Sequence, residues 1–241
     1  MPNTYFQFKQ FIIHHDRCAM KVTTDACLFG AWVSNEMQNA KANIQNALDI
    51  GCGTGLLSLQ LAQKNHVVID AIEIDKDAAE QATENVLASS WKERINIIHT
   101  DALKWKAEKK YDLIISNPPF YEGDLKPVKP NKKMAHHSDG LRLEELLAFI
   151  KAHLKEDGVF YLLLPAKRMN DLANLSIKAD LHLRKIIKVK QTTRHLPFRL
   201  MVQGSSKKGE LISREELSIK GDDQQYTPRF VNLLKDYYLY L

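Results

Sequence analysis

The sequence predicts an α/β fold built on a mainly parallel sheet, and two observations predict it. Short apolar runs of strand length alternate along the chain with stretches of helical periodicity. Polar or glycine-rich residues follow several of these runs, as they do at the carboxyl edge of a parallel sheet. A helix that connects two strands of one sheet in this alternation forms a right-handed crossover, so we expect consecutive strands to pair in parallel.

The elements follow from these patterns in chain order. Residues 47–50 form a strand that runs through a glycine turn into a helix over residues 56–64. The same alternation predicts strands over 67–72, 96–100, 112–116 and 158–164, and helices over 77–89, 141–154 and 171–179. Residues 183–189 and 199–203 alternate and are expected to pair, and the composition of residues 204–209 predicts a flexible hairpin tip.

The glycine turn is the first candidate ligand site. Gly51, Gly53 and Gly55 let the main chain approach a ligand closely, in a G-x-G-x-G spacing that differs from the G-x-G-x-x-G of dinucleotide binders. Glu73 ends the next strand, 18 positions after Gly55, where an acid can accept hydrogen bonds from a ribose diol. Asp101 and Ala102 follow the third strand, and the Asp101 carboxylate can accept from an adenine amine.

The sequence Asn117-Pro118-Pro119-Phe120 after the apolar run 112–116 is the second candidate site. Two prolines fix φ and carry no N–H, so nearby carbonyl oxygens are free to face a ligand. The Asn117 side-chain oxygen and the Pro118 carbonyl offer two acceptors to the two protons of an exocyclic amine, and Phe120 offers a stacking face. This set indicates a site that grips a planar amine and directs its lone pair at an electrophile.

Structural interpretations of the same residues remain open. Asp49 could hold the glycine turn through main-chain N–H groups or contact a cofactor, and Glu73 and Asp101 could be ordinary strand-end acids. Thr24 and Asp25 could cap the helix that runs through Trp32 or close over a cofactor.

With these motifs, the chain resembles the class I S-adenosylmethionine-dependent methyltransferases, and among them the amino-methyltransferases with an N-P-P-[FY] turn. The segment from His15 through Met20 and Asp25 to Trp32 is similar to the opening of bacterial tRNA(Val) (adenine-N6)-methyltransferases, and the stretch 93–96 and the aromatic residues 237–240 extend the similarity over nearly the whole chain. Thr23 departs from the glycine expected there, which questions the local main-chain conformation.

The resemblance implies a Rossmann-like, seven-stranded, mainly parallel sheet with helices on both faces and an antiparallel C-terminal hairpin. It implies one domain over residues 1–241, with a cofactor-covering segment at 1–45, a cofactor-binding and catalytic core at 46–165 and a basic, RNA-facing part at 166–241. The implied cofactor is S-adenosyl-L-methionine, and the implied reaction is N6-methylation of the adenine 3′ of the anticodon of tRNA(Val). Catalysis would fall to Asn117, Pro118 and Phe120, and cofactor binding to Thr24, Asp49, Gly51, Gly53, Gly55, Glu73, Asp101, Ala102 and Asn117.

Other functions fit parts of the pattern. The same turn occurs in methyltransferases that act on ribosomal RNA, on DNA or on a glutamine side chain, so it identifies an amine and leaves its source open. A dinucleotide-dependent oxidoreductase is disfavoured by the glycine spacing, and a non-catalytic RNA-binding relative by the intact motifs.

Charge favours RNA as the partner. Residues 1–124 carry 12 Lys and Arg against 16 Asp and Glu, whereas residues 125–210 carry 18 against 8. Such a basic half suits a polyanion, although a solvated charged face is the alternative. The candidate RNA-binding residues are Lys126, Lys129, Lys132 and Lys133 in a predicted lid over residues 121–138, with Lys167, Arg168, Arg194 and Arg199 beyond it.

Composition bears on the number of domains, the cellular compartment and the presence of a metal. The 241 residues, 44% hydrophobic, can bury one α/β core, and no apolar run reaches the length of a membrane span. Three cysteines without C-x-x-C spacing argue against a disulfide framework and a zinc site. These features predict a cytoplasmic protein without a bound metal, acting as a monomer or a weak homo-oligomer.

Overall fold

The computed structural model describes residues 3–40, 43–119, 141–209 and 211–241. The strands are β1 (Tyr5–Gln7), β2 (Ile12–His14), β3 (Asn46–Ile50), β4 (Val68–Glu73), β5 (Ile95–His99), β6 (Tyr111–Ser116), β7 (Leu154–Pro165), β8 (His182–Thr192), β9 (Arg199–Ser205) and β10 (Ser213–Lys220). The helices are α1 (Thr24–Asn39), α2 (Leu56–Lys64), α3 (Lys76–Leu87), α4 (Leu143–His153), α5 (Met169–Lys178) and α6 (Pro228–Leu234). Short 3₁₀ turns cover Lys92–Arg94 and Ala166–Arg168.

Eight of these strands form one mixed sheet in the order β10-β8-β9-β7-β6-β3-β4-β5, and β1 pairs with β2 in a separate antiparallel ribbon. In the large sheet, β9 is antiparallel to both of its neighbours, while every other neighbouring pair is parallel. The predicted mainly parallel sheet and the antiparallel pairing of β8 with β9 are confirmed.

The strand count differs from the seven that the resemblance implied. The eighth strand, β10, pairs in parallel with β8 on the side away from β9. Residues 204–209 are therefore not a hairpin tip, because the chain leaves β9 and crosses over to the far side of β8. A parallel neighbour cannot be reached by a tight turn, which is why a composition typical of turns was misleading here.

Helices cover both faces of the sheet, as predicted. On one face, Leu59 of α2, Trp32 of α1 and Phe230 of α6 pack in one apolar cluster with Leu113 and Ile115 of β6. The opposite face carries α4 and α5, whose Leu147 and Leu172 pack with Ile114 of the same strand. Successive β6 side chains thus alternate between two cores, which explains why Leu113, Ile114 and Ile115 are apolar in succession and not only at every second position.

Local capping explains where several helices begin. The Thr23 side chain accepts a hydrogen bond from the Ala26 N–H at 3.4 Å, so Thr23 is the N-cap of α1, and of the two interpretations left open for Thr24 and Asp25 the capping one is wrong. Thr23 has φ −122° and ψ 153°, a conformation open to any residue, which resolves the question raised by the missing glycine. Asp75 caps α3 in the same way, with its carboxylate 2.9 Å from the Ala78 N–H.

The aromatic residues near the C-terminus lie beyond α6, which ends at Leu234. Tyr237 is fully buried and its hydroxyl donates to the Gln60 carbonyl at 3.0 Å, while Tyr240 is exposed. The Lys9 N–H donates to the Tyr237 carbonyl at 2.8 Å. This segment therefore locks α2 to the N-terminal ribbon.

We predict that Gly204→Ala destabilises the fold through a clash between neighbouring strands. Gly204 of β9 lies opposite Phe160 of β7, and a Cβ at position 204 would overlap the buried Phe160 ring. Overpacking of this kind costs about 1–3 kcal/mol. Urea denaturation should show that loss in the free energy of unfolding.

The matched background is Phe160→Leu, which removes the ring that the new methyl group meets. Gly204→Ala should cost less in that background than in the wild type. An equal cost in both backgrounds would show that the clash is not the cause.

Candidate active site

The glycine turn, Glu73, Asp101 and Asn117 all lie at the carboxyl edge of the sheet. The chain passes from β3 through β4 to β5 in one direction and then crosses back to place β6 on the other side of β3. The glycine turn follows β3, Glu73 ends β4, Asp101 follows β5 and Asn117 follows β6. Ligands bind at such a reversal of strand order in open α/β sheets.

The glycine turn is held in a conformation that other residues avoid. Gly51, Gly53 and Gly55 have φ of 68°, 54° and 79°. A Cβ built on Gly51 or Gly53 would meet no atom within 4 Å among the described residues, so both face open space. The N–H groups of Gly51 and Cys52 donate to the Ile72 carbonyl at 2.8 and 3.1 Å, which anchors the turn to the end of β4.

Glu73 holds the glycine turn, a role that the sequence had offered to Asp49. One Glu73 carboxylate oxygen accepts from the Gly53 N–H at 2.8 Å, and the other accepts from the Asp75 N–H at 3.0 Å. The side chain is almost fully buried between the turn and the start of α3. A carboxylate that accepts main-chain N–H groups in this way keeps lone pairs for a further donor.

Asp49 lies fully buried beneath the turn. Its Oδ2 accepts from the Ser58 hydroxyl at 2.7 Å, while its Oδ1 is buried with no hydrogen-bond partner among the described residues. Burial raises the pKa of Asp49 to about 7; the Ser58 hydrogen bond opposes that shift, and the nearby Glu73 charge adds to it. Asp49 therefore does not hold the turn through main-chain N–H groups, and the site contains an acidic oxygen that lacks a donor.

Asp101 and Ala102 lie next to this group at the end of β5, half-buried. The Asp101 Oδ1 accepts from the Leu103 N–H at 2.9 Å, and the Lys104 ammonium lies 3.4 Å from Oδ2. The Thr100 N–H donates to the Glu73 carbonyl at 2.8 Å. The ends of β4 and β5 are thereby fixed to each other.

The Asn-Pro-Pro turn begins where β6 ends. The Ser116 hydroxyl donates to the Ile50 carbonyl at 2.7 Å, which ties the start of this turn to the residue before Gly51. Asn117 is half-buried, and its amide nitrogen lies 3.9 Å from the Met20 sulfur. Pro118 is buried and Pro119 is exposed. Phe120 lies outside the described residues.

An N-terminal segment packs against the same site through α3. Asn85 accepts from the His14 N–H at 3.0 Å and donates to the carbonyls of His14 and Thr54 at 2.9 and 3.0 Å. Gln81 of α3 accepts from the Arg17 N–H at 2.9 Å. One buried amide thus joins the N-terminal ribbon to the glycine turn. Thr24 itself is exposed at the start of α1.

Sequence reasoning did not find Asn85, Ser58, Ser116 or Met20. Asn85 and Ser58 lie in helices, where a polar residue is indistinguishable by pattern from a solvent-facing one. Their burial at 2% and 0% exposure shows their role only in the folded chain.

Four of the predicted RNA-binding residues lie along the same edge of the sheet. Lys167 and Arg168 follow β7, Arg194 lies between β8 and β9, and Arg199 begins β9. Arg199 donates to the Asp25 carboxylate at 2.7 Å, and Arg194 lies 3.3 Å from the Asp222 carboxylate. The predicted lid and its Lys126, Lys129, Lys132 and Lys133 lie outside the described residues.

The described residues contain neither a cluster of metal ligands nor a membrane-spanning helix. No group of three His, Cys, Asp or Glu side chains there is arranged to hold a metal ion. No helix in the same part of the chain has both the length and the apolar character to cross a bilayer.

Comparison with known proteins places this site in context. The family described as "Methyltransferase small domain" matches residues 33–169. The tRNA1(Val) (adenine(37)-N6)-methyltransferase of Escherichia coli O157:H7 is 39% identical over 98% of this chain and 95% of its own length. The protein of that name from Shigella dysenteriae serotype 1 shows the same identity and coverage.

Solved structures share the fold. The crystal structure of a "predicted O-methyltransferase" from Agrobacterium tumefaciens aligns with a TM-score of 0.62 at 15% identity, covering 88% of this chain and 96% of that one. An S-adenosylmethionine-dependent methyltransferase from Clostridium acetobutylicum aligns with a TM-score of 0.55 at 12% identity, covering 77% of this chain and 92% of its own. At such low identity these likenesses show the fold alone.

We predict that Asp49→Asn stabilises the chain in a pH-dependent way. The pKa of Asp49 rises from 3.8 to about 7 on folding, so between about pH 4 and pH 7 the folded chain holds a proton that the unfolded chain has lost. The wild-type free energy of unfolding therefore falls as the pH rises through this window. Asparagine cannot ionise, so the advantage of Asp49→Asn should grow up to about pH 7 and then level off.

Urea denaturation across that pH range measures the difference. Ser58→Ala is the matched variant, because losing its hydrogen bond to the ionised carboxylate should extend the wild-type decline to higher pH. A difference between Asp49→Asn and wild type that is constant with pH would contradict the raised pKa.

Proposed function

The chain belongs to the methyltransferase small domain family and, within it, to the tRNA1(Val) (adenine(37)-N6)-methyltransferases, and we propose on that premise that it methylates N6 of adenine 37 in tRNA1(Val). The methyl donor is S-adenosyl-L-methionine. One observation carries the proposal: the Asn117-Pro118 turn starts beside the glycine turn, at the reversal of strand order where the cofactor and an amine would meet. We place the reaction in the cytoplasm, because its proposed substrate is a tRNA.

The residues present fit this cofactor. A Cβ would occupy the open space above Gly51 and Gly53, so the turn can take a ligand against its main chain. The cofactor carries a ribose diol, an amine and a sulfonium, which suit a site lined with carboxylates. Among the described residues, Asp49 Oδ1 is an acidic oxygen without a hydrogen-bond donor, and Glu73 retains acceptor capacity towards a diol.

When bound, S-adenosylmethionine supplies a methyl group on a positively charged sulfur that a neutral amine can attack. We assign the positioning of cofactor groups to Asp49, Glu73, Asp101, Ala102, Thr24 and the three glycines of the turn. The ionised form of Asp49 would gain from a nearby positive charge, which favours loss of its proton on binding.

We assign the grip on the target amine to Asn117 and Pro118. The Asn117 amide nitrogen faces the Met20 sulfur, an arrangement that leaves the side-chain oxygen to accept one amine proton. The Pro118 carbonyl accepts the other, and the two acceptors favour the positive charge that develops on nitrogen. Phe120 stacks on the base in this proposal. Holding the amine nitrogen in line with the methyl group that it attacks accounts for the remaining rate gain.

We assign RNA binding to cationic residues along the same edge of the sheet. Lys167, Arg168, Arg194 and Arg199 lie there, and the four lysines of the segment 121–138 follow the Asn-Pro-Pro turn in sequence. Cations along one edge suit a phosphate backbone. An adenine in an anticodon loop is unpaired, so it can leave its stack at low cost and enter the pocket. Because one chain supplies every assigned group, we propose that a single chain is the active unit.

The direct test uses unmodified tRNA transcripts. The protein should form N6-methyladenosine in a tRNA1(Val) transcript, measured by mass spectrometry of digested nucleosides, and none in a transcript with guanosine at position 37. Ribosomal RNA and a protein extract serve as competing substrates. A product found only in these would overturn the tRNA assignment while leaving the chemistry intact.

In the same assay, Asn117→Ala should lower turnover roughly a hundredfold, the loss typical of removing one preorganised polar group. Cofactor affinity measured by calorimetry should change far less, because other residues carry it. Wild-type turnover by Asn117→Ala would remove Asn117 from the proposed grip.

Gly53→Ala tests the glycine turn as a cofactor cradle. With φ of 54°, an alanine there is strained by roughly 1–2 kcal/mol, and its methyl group enters the open space above the turn. We expect a modest fall in stability together with at least a tenfold loss of affinity for S-adenosylhomocysteine, measured by calorimetry.

Gly55→Ala is the matched comparison. It carries similar strain at φ 79°, but its Cβ points at Ala82 of α3, 3.6 Å away. It should lose less affinity than Gly53→Ala for a comparable loss of stability. Equal affinity losses in the two variants would show that strain, and not the occupied space, weakens binding.

A further inference from the structure

A cleft outside the proposed catalytic site lies further along the same edge of the sheet. It has a volume of about 250 Å³ and is lined in part by Thr24, Asp25, Phe198, Lys220 and Tyr226. Thr24 and Asp25 begin α1, Phe198 comes just before β9, Lys220 ends β10 and Tyr226 comes just before α6. None of them except Thr24 is assigned to the cofactor.

Two aromatic rings in the cleft wall are held firmly. Tyr226 is 39% exposed and stacks on the buried Phe230 ring, with centroids 4.6 Å apart and planes inclined by 18°. Phe198 is fixed through its main chain, since its N–H donates to the Val189 carbonyl at 2.9 Å and its carbonyl accepts from the Ala166 N–H at 3.1 Å. Rigid aromatic faces of this kind lose little entropy when a flat ligand stacks on them.

Cations accompany the rings. The Lys220 ammonium lies over the Tyr226 ring, 5.6 Å from its centroid, and the Arg199 guanidinium lies 5.6 Å from the Phe198 centroid. Asp25 in the wall is paired with Arg199 at 2.7 Å, so its charge is compensated. Aromatic faces interleaved with cations are typical of surfaces that bind single-stranded nucleic acid.

The distance to the catalytic turn suits a base a few nucleotides along the same strand. Between β6 and β9 lies β7 alone, so at a strand separation of about 4.8 Å the start of β9 is about 10 Å from the end of β6. The end of β10 is four strand spacings away, about 19 Å. A few nucleotides of extended strand bridge that range. The volume also lies below the roughly 300–1,000 Å³ of pockets for drug-sized ligands, which suits one base.

We propose that this cleft holds an unpaired nucleobase of the RNA strand a few nucleotides from the methylated adenine. The base stacks on Tyr226 and Phe198, and the Lys220 ammonium moves from the Tyr226 ring to the phosphate of the same nucleotide. The cleft would thus fix the register of the strand so that the adenine reaches Asn117. This inference rests on the proposed function in one respect, namely that the ligand is RNA.

The test combines cleft variants with abasic RNA. Hairpins carrying the anticodon loop, each with one loop nucleotide near position 37 made abasic, are titrated into the protein with S-adenosylhomocysteine present, and binding is followed by fluorescence anisotropy. Tyr226→Leu should weaken binding of the intact hairpin about tenfold, within the range for loss of one stacked base. For the one abasic hairpin that lacks the occupying base, the effect of Tyr226→Leu should vanish.

Further variants separate stacking from charge and from damage to the fold. Tyr226→Phe keeps the ring and should restore most of the affinity lost in Tyr226→Leu. Lys220→Gln should weaken binding and lower its salt dependence, whereas Lys178→Gln, in the last turn of α5 at the opposite edge of the sheet, should not. Tyr240→Leu, an exposed aromatic outside the cleft, is the matched aromatic control. Calorimetric affinity for S-adenosylhomocysteine should stay at the wild-type value in Tyr226→Leu.

The outcomes distinguish the two proposals. Hairpin binding by the wild type without methyl transfer to tRNA would overturn the proposed reaction while the abasic comparison still tests the cleft. Wild-type binding by Tyr226→Leu, or an equal loss with every abasic hairpin, would overturn the cleft as a base site. Absence of RNA binding by the wild type, or preference of the cleft for a peptide, would overturn it as well.

Discussion

The Glu73 carboxylate makes the contacts on which the arrangement of the candidate active site, at the carboxyl edge of the sheet, depends. Its two oxygens take the N–H groups of Gly53 and Asp75, so one buried acid joins the glycine turn after β3 to the start of α3 after β4. The turn needs such support because its three glycines hold positive φ and would otherwise sample many conformations. The Thr100 N–H bound to the Glu73 carbonyl then carries the same alignment on to β5.

Beyond Glu73, further buried polar contacts hold the candidate active site together. Ser116 fixes the Asn-Pro-Pro turn to the end of β3, Ser58 supports Asp49, and Asn85 links the glycine turn to the N-terminal ribbon. Each contact lies at low exposure, where a lost partner costs about 1–3 kcal/mol. The site is therefore rigid near the glycine turn. Towards β8 and β10, the exposed Arg194, the half-buried Arg199 and two aromatic rings replace these contacts, which suits a surface that receives a large substrate.

Much of the fold could be predicted because it is encoded locally. The helix over residues 56–64, the strands around it and the pairing of β8 with β9 all follow from apolar periodicity. The placement of β10 could not be predicted. The chain crosses over β8 to pair β10 with it in parallel, and the turn-like composition of residues 204–209 does not indicate that crossing. The site shows the same division. The positions of Glu73 and Asn117 at strand ends were foreseeable, whereas the support of the glycine turn by Glu73 and not by Asp49 depends on which carboxylate reaches Gly53 after folding.

The junction formed by Tyr237 has a consequence for synthesis on the ribosome. The crossover units from β3 to β7 contain contacts close in sequence and can form as the chain emerges, since domains fold from the N-terminal side during translation. Gln60 and Lys9, however, receive their partner in Tyr237 only after the segment that follows α6 has left the exit tunnel. The contact of Tyr237 with α2 therefore forms late, and the N-terminal ribbon waits through the synthesis of every strand of the large sheet for the contact that secures it.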